Sequence, residues 1–95
     1  MADSREEMVD AAYEPPEGEL EQAVADIVAE VLGIDRVSRG DSFYDFGGTS
    51  LQAIRICARI ELRLGLKALP LWLFSNDVLH EFVEELRVQA AKTHV

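Results

Sequence analysis

Three stretches of this chain repeat apolar residues at helical spacing, and no stretch alternates apolar with polar as a half-buried strand requires. Leu20, Val24, Ile27, Val28, Val31 and Leu32 mark the first and predict a helix over residues 18–32, stopped by Gly33. Leu51, Ala53, Ile54, Ile56, Cys57, Ala58, Ile60, Leu62 and Leu64 mark the second, over 50–64, closed by Gly65. Val78, Leu79, Phe82, Val83 and Leu86 mark the last, over 77–91, with Ser75, Asn76 and Asp77 as N-cap candidates. Between them, Leu69-Pro70-Leu71-Trp72-Leu73-Phe74 has room for one or two turns, and Pro70 suits the first of these. In 95 residues, this pattern predicts one all-α domain: a four-helix bundle of three principal helices plus a short third one.

The rest of the chain divides around those helices. Residues 1–16 lack apolar periodicity and end in Pro15-Pro16, so a flexible acidic tail is expected there. The folded domain is expected over 17–89, and 90–95 reads as a fraying tail. Glu17, Glu19 and Glu21 suit the positive end of the first helix. Residues 33–49 make a long connection between helices 1 and 2, and Ile34, Val37, Phe43 and Phe46 can pin it to the core. Asp41, Asp45 and Gly47 resemble a calcium loop only faintly. The ligand spacing fails and no closing glutamate follows, so no metal site is expected.

Charge narrows the function classes. The net charge of −9 excludes a nucleic-acid binder, because a phosphate backbone demands a basic surface. Residues 1–30 hold ten acidic side chains against Arg5 alone, whereas residues 50–67 hold Arg55, Arg59, Arg63 and Lys67 against Glu61 alone. Arg55, Arg59 and Arg63, spaced by four, form the polar stripe of an otherwise apolar helix; a partner surface and a plain solvated face both fit. The single cysteine, Cys57, excludes an internal disulfide and reads as a small buried hydrophobe. No apolar run is long enough to span a bilayer and the first ten residues are unlike a secretory signal, so a cytoplasmic monomer that needs no membrane is expected.

Ser50 stands where a glycine pair runs into the second helix. Gly47-Gly48 removes side-chain bulk, so that a partner can approach closely. Thr49 and Gln52 fit a capping box, which would leave the Ser50 hydroxyl unused and beside the positive helix start, where a phosphate ester is favoured. Taken alone, these residues also read as an ordinary helix cap, the commoner meaning of such a sequence. The assignment of Ala53, Ile56, Cys57, Ile60 and Leu64 inward leaves Leu51, Ile54 and Ala58 partly exposed beside Ser50. Thr49, Leu51, Ile54, Arg55 and Ala58 are therefore the expected partner contacts, with Phe43 and Tyr44 as weaker candidates. His80 and His94 are read as solvated or interface side chains, since neither lies near Ser50 in sequence to act as its base.

The run Asp41-Ser42-Phe43-Tyr44-Asp45-Phe46-Gly47-Gly48-Thr49-Ser50-Leu51 resembles the phosphopantetheine attachment motif of acyl and peptidyl carrier proteins. Val31-Leu32-Gly33-Ile34 is similar to the end of that family's first helix, and Leu69-Pro70-Leu71-Trp72-Leu73-Phe74 to its short third one. The resemblance runs from Glu21 to Leu86, in order. It implies that Ser50 accepts 4′-phosphopantetheine from coenzyme A, transferred by a separate phosphopantetheinyl transferase, with Asp45, Gly47 and Gly48 supporting the loop. It further implies a non-catalytic carrier of an aminoacyl or peptidyl thioester, loaded by an adenylation enzyme and emptied by condensation or tailoring enzymes of nonribosomal peptide synthesis. Two positions depart from the pattern: Thr49 stands where peptidyl carriers often have histidine or aspartate, and Asn76-Asp77-Val78 where a Pro-Thr pair is frequent. The basic second helix and the Gly-Gly pair favour a peptidyl carrier over one for polyketide or fatty-acid intermediates, the second reading. An unmodified helical adaptor is a distant third. Met1 and a tail at each end suggest a freestanding carrier.

Overall fold

A computed structural model of the protein describes residues 3–93, Thr93 without its side chain. Four α-helices follow in order: α1 (Gly18–Leu32), α2 (Ser50–Leu64), α3 (Pro70–Ser75) and α4 (Leu79–Thr93). Among the described residues there is no strand, only isolated bridges pairing Asp3 with Ile34 and Ser42 with Val78. Both long helices before α3 end on glycines in left-handed geometry, Gly33 and Gly65, and Pro70 opens α3.

The expected faces meet in one core. Val24, Ile27 and Val28 of α1, Ala53, Ile56, Cys57 and Ile60 of α2, Leu73 of α3, and Leu79, Phe82, Val83 and Leu86 of α4 are buried together. Each large aliphatic or aromatic side chain among them contributes about 1.5–3 kcal/mol of transfer free energy against the entropy of ordering it. Leu64 and Val78 are only half-buried. Ile34, Val37, Phe43 and Phe46 are buried as well, so the connection over 33–49 is a packed layer rather than a mobile loop.

That layer also explains where α4 starts. The first turn of a helix has backbone N–H groups with no partner in the helix. Here the Asp41 carbonyl accepts from Leu79 N–H at 3.0 Å and the Arg39 carbonyl from His80 N–H at 3.0 Å. The loop backbone thus does the capping expected of Ser75, Asn76 or Asp77. Asp77 serves the loop instead: its carboxylate accepts from the Ser42 hydroxyl, and its carbonyl from Phe43 N–H at 2.8 Å. Helix α4 accordingly begins at Leu79 rather than 77, and it continues past Ala90 to Thr93 where fraying was expected. His94 lies outside the described residues.

The flexible tail expected over 1–16 does not describe residues 3–14. A 3-10 turn at Arg5–Glu7 packs on the body, and Arg5 is wholly buried, with 0% of its surface exposed. Its guanidinium forks onto Asp41, with Nε 2.5 Å from Oδ2 and Nη2 2.8 Å from Oδ1. Tyr13 stacks on Arg36, whose Cζ sits 3.7 Å from the ring centre. Apolar periodicity cannot foresee such a segment, because polar and cationic side chains anchor it.

Glu21 does more than suit the positive end of α1. It is buried, accepts the Glu17 N–H at 3.1 Å and pairs with Arg39 at 2.7 Å. Burial raises its pKa, but the Arg39 guanidinium and the Glu17 N–H together outweigh that and leave it below the usual value. A carboxylate with a lowered folded-state pKa stabilises the protein above its unfolded-state value, near pH 4.3, and loses that contribution as pH falls through the folded value. Between pH 5 and 3, a Glu21→Gln variant should therefore lose less stability than the wild type in urea titrations. Parallel curves would contradict this.

No helix among the described residues is long and apolar enough to cross a membrane, and no cluster of three His, Cys, Asp or Glu could hold a metal ion.

Candidate functional site

Ser50 is the first residue of α2 and is exposed. The helix is capped by its neighbour: Thr49 Oγ1 accepts from Gln52 N–H at 3.2 Å, and Gln52 Oε1 accepts from Thr49 N–H at 3.0 Å. The expected capping box is thus complete. It leaves the Ser50 hydroxyl without a hydrogen bond among the described residues. It also leaves the Ser50 and Leu51 N–H groups, without intrahelical partners, at the positive end of the helix. An anion attached to Oγ meets exposed donors and a favourable field there.

The glycine pair also shapes the turn itself. A 3-10 turn at Tyr44–Phe46 ends at Gly47, which has φ +70° and closes the turn. At Gly48 the restriction is internal: an added Cβ would lie 2.4 Å from Phe43 Cζ and 2.5 Å from Cε1 and Cε2. The Phe43 ring is buried beneath the turn, so it cannot swing aside. The Gly48→Ala variant should lose about 1–3 kcal/mol by overpacking, read in a thermal melt. A melting midpoint equal to the wild type's would show that the ring yields.

Phe43 is therefore a support of the site and not an exposed contact, contrary to its weaker candidacy. Tyr44 is half-exposed and donates its hydroxyl to the Phe74 carbonyl at 2.8 Å, linking the turn to α3. Asp45 is exposed and holds the turn through its backbone, its N–H donating to the Ser42 carbonyl at 3.1 Å.

On α2, the exposed side chains beside Ser50 are Thr49, Leu51, Ile54, Arg55 and Ala58, as the periodicity predicts; Leu51 is 55% exposed and Ile54 54%. Leu62, at 85%, continues the same outward line, since residues 51, 54, 58 and 62 share one helix face. The arginine stripe splits. Arg63 forks onto Glu30 of α1 at 2.5 and 3.0 Å, and Arg59 stands 3.8 Å from the same carboxylate. Arg55 alone of the three has no ion-pair partner among the described residues. Sequence spacing could not separate them, because Glu30 is reached only through the α1–α2 packing.

Among the described residues, neither the histidine nor the cysteine is placed to turn Ser50 into a nucleophile of the protein's own. His80 gives its N–H to Arg39 at the far end of the loop layer. Cys57 is buried; burial first, then Glu61, pushes its thiol up to about 11. A buried thiol so hard to ionise is inert.

What fold and turn define together is a helical domain with an exposed serine at the start of its second helix. Residues 22–86 match the phosphopantetheine attachment site family, and the chain belongs to it. It is a non-catalytic carrier domain whose prosthetic group is 4′-phosphopantetheine. Among curated proteins, it is 44% identical over 78 residues to malpinin synthetase of Mortierella alpina, covering 82% of this chain and 1% of that protein. It is 37% identical over 73 residues to a plipastatin synthase protein of Bacillus subtilis, covering 77% and 2%. The chain thus spans only a small fraction of the length of these relatives. Among solved structures, it superposes with a TM-score of 0.80 and 28% identity on a non-covalent extended docking domain complex of the Pax NRPS, covering 92% of this chain and 84% of that one. BlmI, a type-II acyl-carrier protein from Streptomyces verticillus involved in bleomycin biosynthesis, follows at 0.70 and 28%, covering 75% and 86%.

Proposed function

We propose that the chain is a peptidyl carrier domain, assigned to residues 17–89, with Ser50 as the residue that receives the arm. The observation that carries this reading is the Ser50 hydroxyl, exposed and unbonded at a helix start that Thr49 and Gln52 already cap. A phosphopantetheinyl transferase would deprotonate Ser50 Oγ for attack on the β-phosphorus of coenzyme A. The new Oγ–P bond replaces the bond to the adenosine 3′,5′-bisphosphate leaving group. The arm's terminal thiol then supplies the chemistry of the carrier, a thioester link to the cargo. The chain's own residues present the serine, favour its phosphate at the α2 N-terminus, and offer a face for partners to read.

That face is Leu51, Ile54 and Ala58, flanked by Thr49 and Arg55. With Arg59 and Arg63 drawn to Glu30, Arg55 is the cation of the stripe left to meet an acidic partner surface. The partners in this reading are the transferase, an adenylation enzyme, and condensation or tailoring enzymes, and the setting is cytoplasmic. The Ile54→Glu variant should fold, because Ile54 is 54% exposed. It should lower kcat/KM for loading by about tenfold or more, since a central apolar contact is worth above 1 kcal/mol. Loss of helicity instead would mean that Ile54 belongs to the core.

The load is read as aminoacyl or peptidyl, supported by the likeness to malpinin synthetase and to the plipastatin synthase protein. The likeness to BlmI keeps an acyl load as the second reading. Offering the arm-bearing protein an adenylating enzyme with amino acids, and separately a malonyl transferase with malonyl-coenzyme A, decides between them. Thioester formation in the first alone supports a peptidyl carrier, and in the second alone an acyl carrier.

A further inference from the structure

We propose that residues 3–14 form a strap that holds the serine-bearing turn in place, with Arg5 as a positioning residue acting through Asp41. The inference rests on the reading of Ser50 as the acceptor. The strap is tied along its whole length. Asp3 N–H donates to the Gly33 carbonyl and Asp35 N–H to the Asp3 carbonyl, both at 2.8 Å. Arg5 N–H reaches Asp35 Oδ1 at 2.7 Å, and Arg5 Nη2 reaches back to the Ala11 carbonyl at 3.0 Å. At the far end Glu14 N–H donates to Ser38 Oγ at 2.8 Å, while the Glu14 carbonyl accepts from Arg39 N–H at 2.9 Å. The loop over 33–41 is thereby sandwiched between the strap and the start of α4.

Asp41 is the junction. Its carboxylate takes the Arg5 fork and the Ser38 N–H at 2.9 Å, and its carbonyl takes the Leu79 N–H of α4. The next two residues are fastened to Asp77, Ser42 by its hydroxyl and Phe43 by its N–H. Phe43 then accepts the Gly48 N–H at 3.2 Å and lays its ring against the Gly48 Cα. Gly48 is followed directly by Thr49 and Ser50. Each link from Arg5 to the helix start is a short contact between groups with no freedom to slide. A two-bond guanidinium–carboxylate fork fixes orientation as well as distance. Stability alone would be served as well by an apolar pair of the same volume, so the ionic fork is better explained by the orientation it imposes.

The test uses the double variant Arg5→Met with Asp41→Asn, which keeps volume at both ends and leaves no unpaired charge. Transferase kinetics with coenzyme A are measured alongside amide exchange at Gly48 and Thr49, whose N–H groups are hydrogen-bonded, and at the core residues Ile56 and Ile60. A positioning role predicts a folded variant with kcat for arm transfer lowered about tenfold and KM little changed, because the reacting hydroxyl is displaced while the recognition face persists. Exchange should accelerate at the two turn amides and not in the core. Unchanged kcat with unchanged turn exchange would overturn the proposal, as would acceleration spread evenly over turn and core. Should the double variant fail to fold, Asp35→Ala takes its place: this exposed side chain accepts its hydrogen bond from the Arg5 N–H and otherwise only favours the charge of exposed Arg36, and the same changes are expected at about threefold. Unaltered turn exchange in Asp35→Ala then rejects the strap. A wild-type protein that accepts no arm refutes Ser50 as acceptor, while the exchange comparison still decides the strap.

Discussion

The Ser50→Ala variant should accept no arm at all and yet melt within about 4 °C of the wild type, as surface substitutions do. Both halves follow from the helix start. Among the described residues the Ser50 hydroxyl makes no hydrogen bond, and its side chain is exposed, so alanine leaves no partner stranded and no cavity behind. The cap is Thr49, whose hydroxyl is engaged with Gln52 and is not a substitute acceptor. By contrast, Thr49→Ala should cost about 1 kcal/mol of stability. Intact mass after incubation with transferase and coenzyme A, paired with a thermal melt, checks both. A residual arm on the variant would place attachment elsewhere, and a collapsed melt would make Ser50 structural.

The Arg5→Ala variant should lose a large share of the domain's stability. Truncation would leave the Asp41 carboxylate buried beside the Ser38 N–H without its cation. Removing one partner of a buried pair costs about 3–5 kcal/mol. The lower end applies here, because exposed strap residues such as Glu6 and Ala11 are what cover the fork, and water can follow their displacement. At about 4–8 °C per kcal/mol for a domain of this size, the melting midpoint should fall by more than about 10 °C. The double change Arg5→Met with Asp41→Asn should recover most of that loss, and failure to recover it would mean that packing rather than charge is responsible.

The architecture was largely legible because it rests on local rules. Apolar spacing located the three long helices and Pro70 the short one, glycine stops ended two of them, and the Thr49/Gln52 pair marked where α2 begins. The facing of α2 followed from the same spacing, down to the exposure of Leu51 and Ile54. What escaped reading depends on pairs distant in sequence. Arg5 stood out as the lone base among ten acids in residues 1–30, but nothing local linked it to Asp41, 36 positions on. Glu30 could not be matched to Arg59 and Arg63 before α1 and α2 were packed together. Gly48 looked like an opening for a partner because glycine reports missing bulk without saying which neighbour needs the room; here it is Phe43. The start of α4 was misplaced by two residues because its caps are the backbone carbonyls of Arg39 and Asp41, which no side-chain signature reveals.

The most direct test of the account is the intact mass of the wild-type chain after incubation with a phosphopantetheinyl transferase and coenzyme A, followed by fragmentation. A gain of one phosphopantetheine, located on the peptide that contains Ser50, is the predicted result. An unmodified chain, or an arm mapped to any other residue, would contradict it.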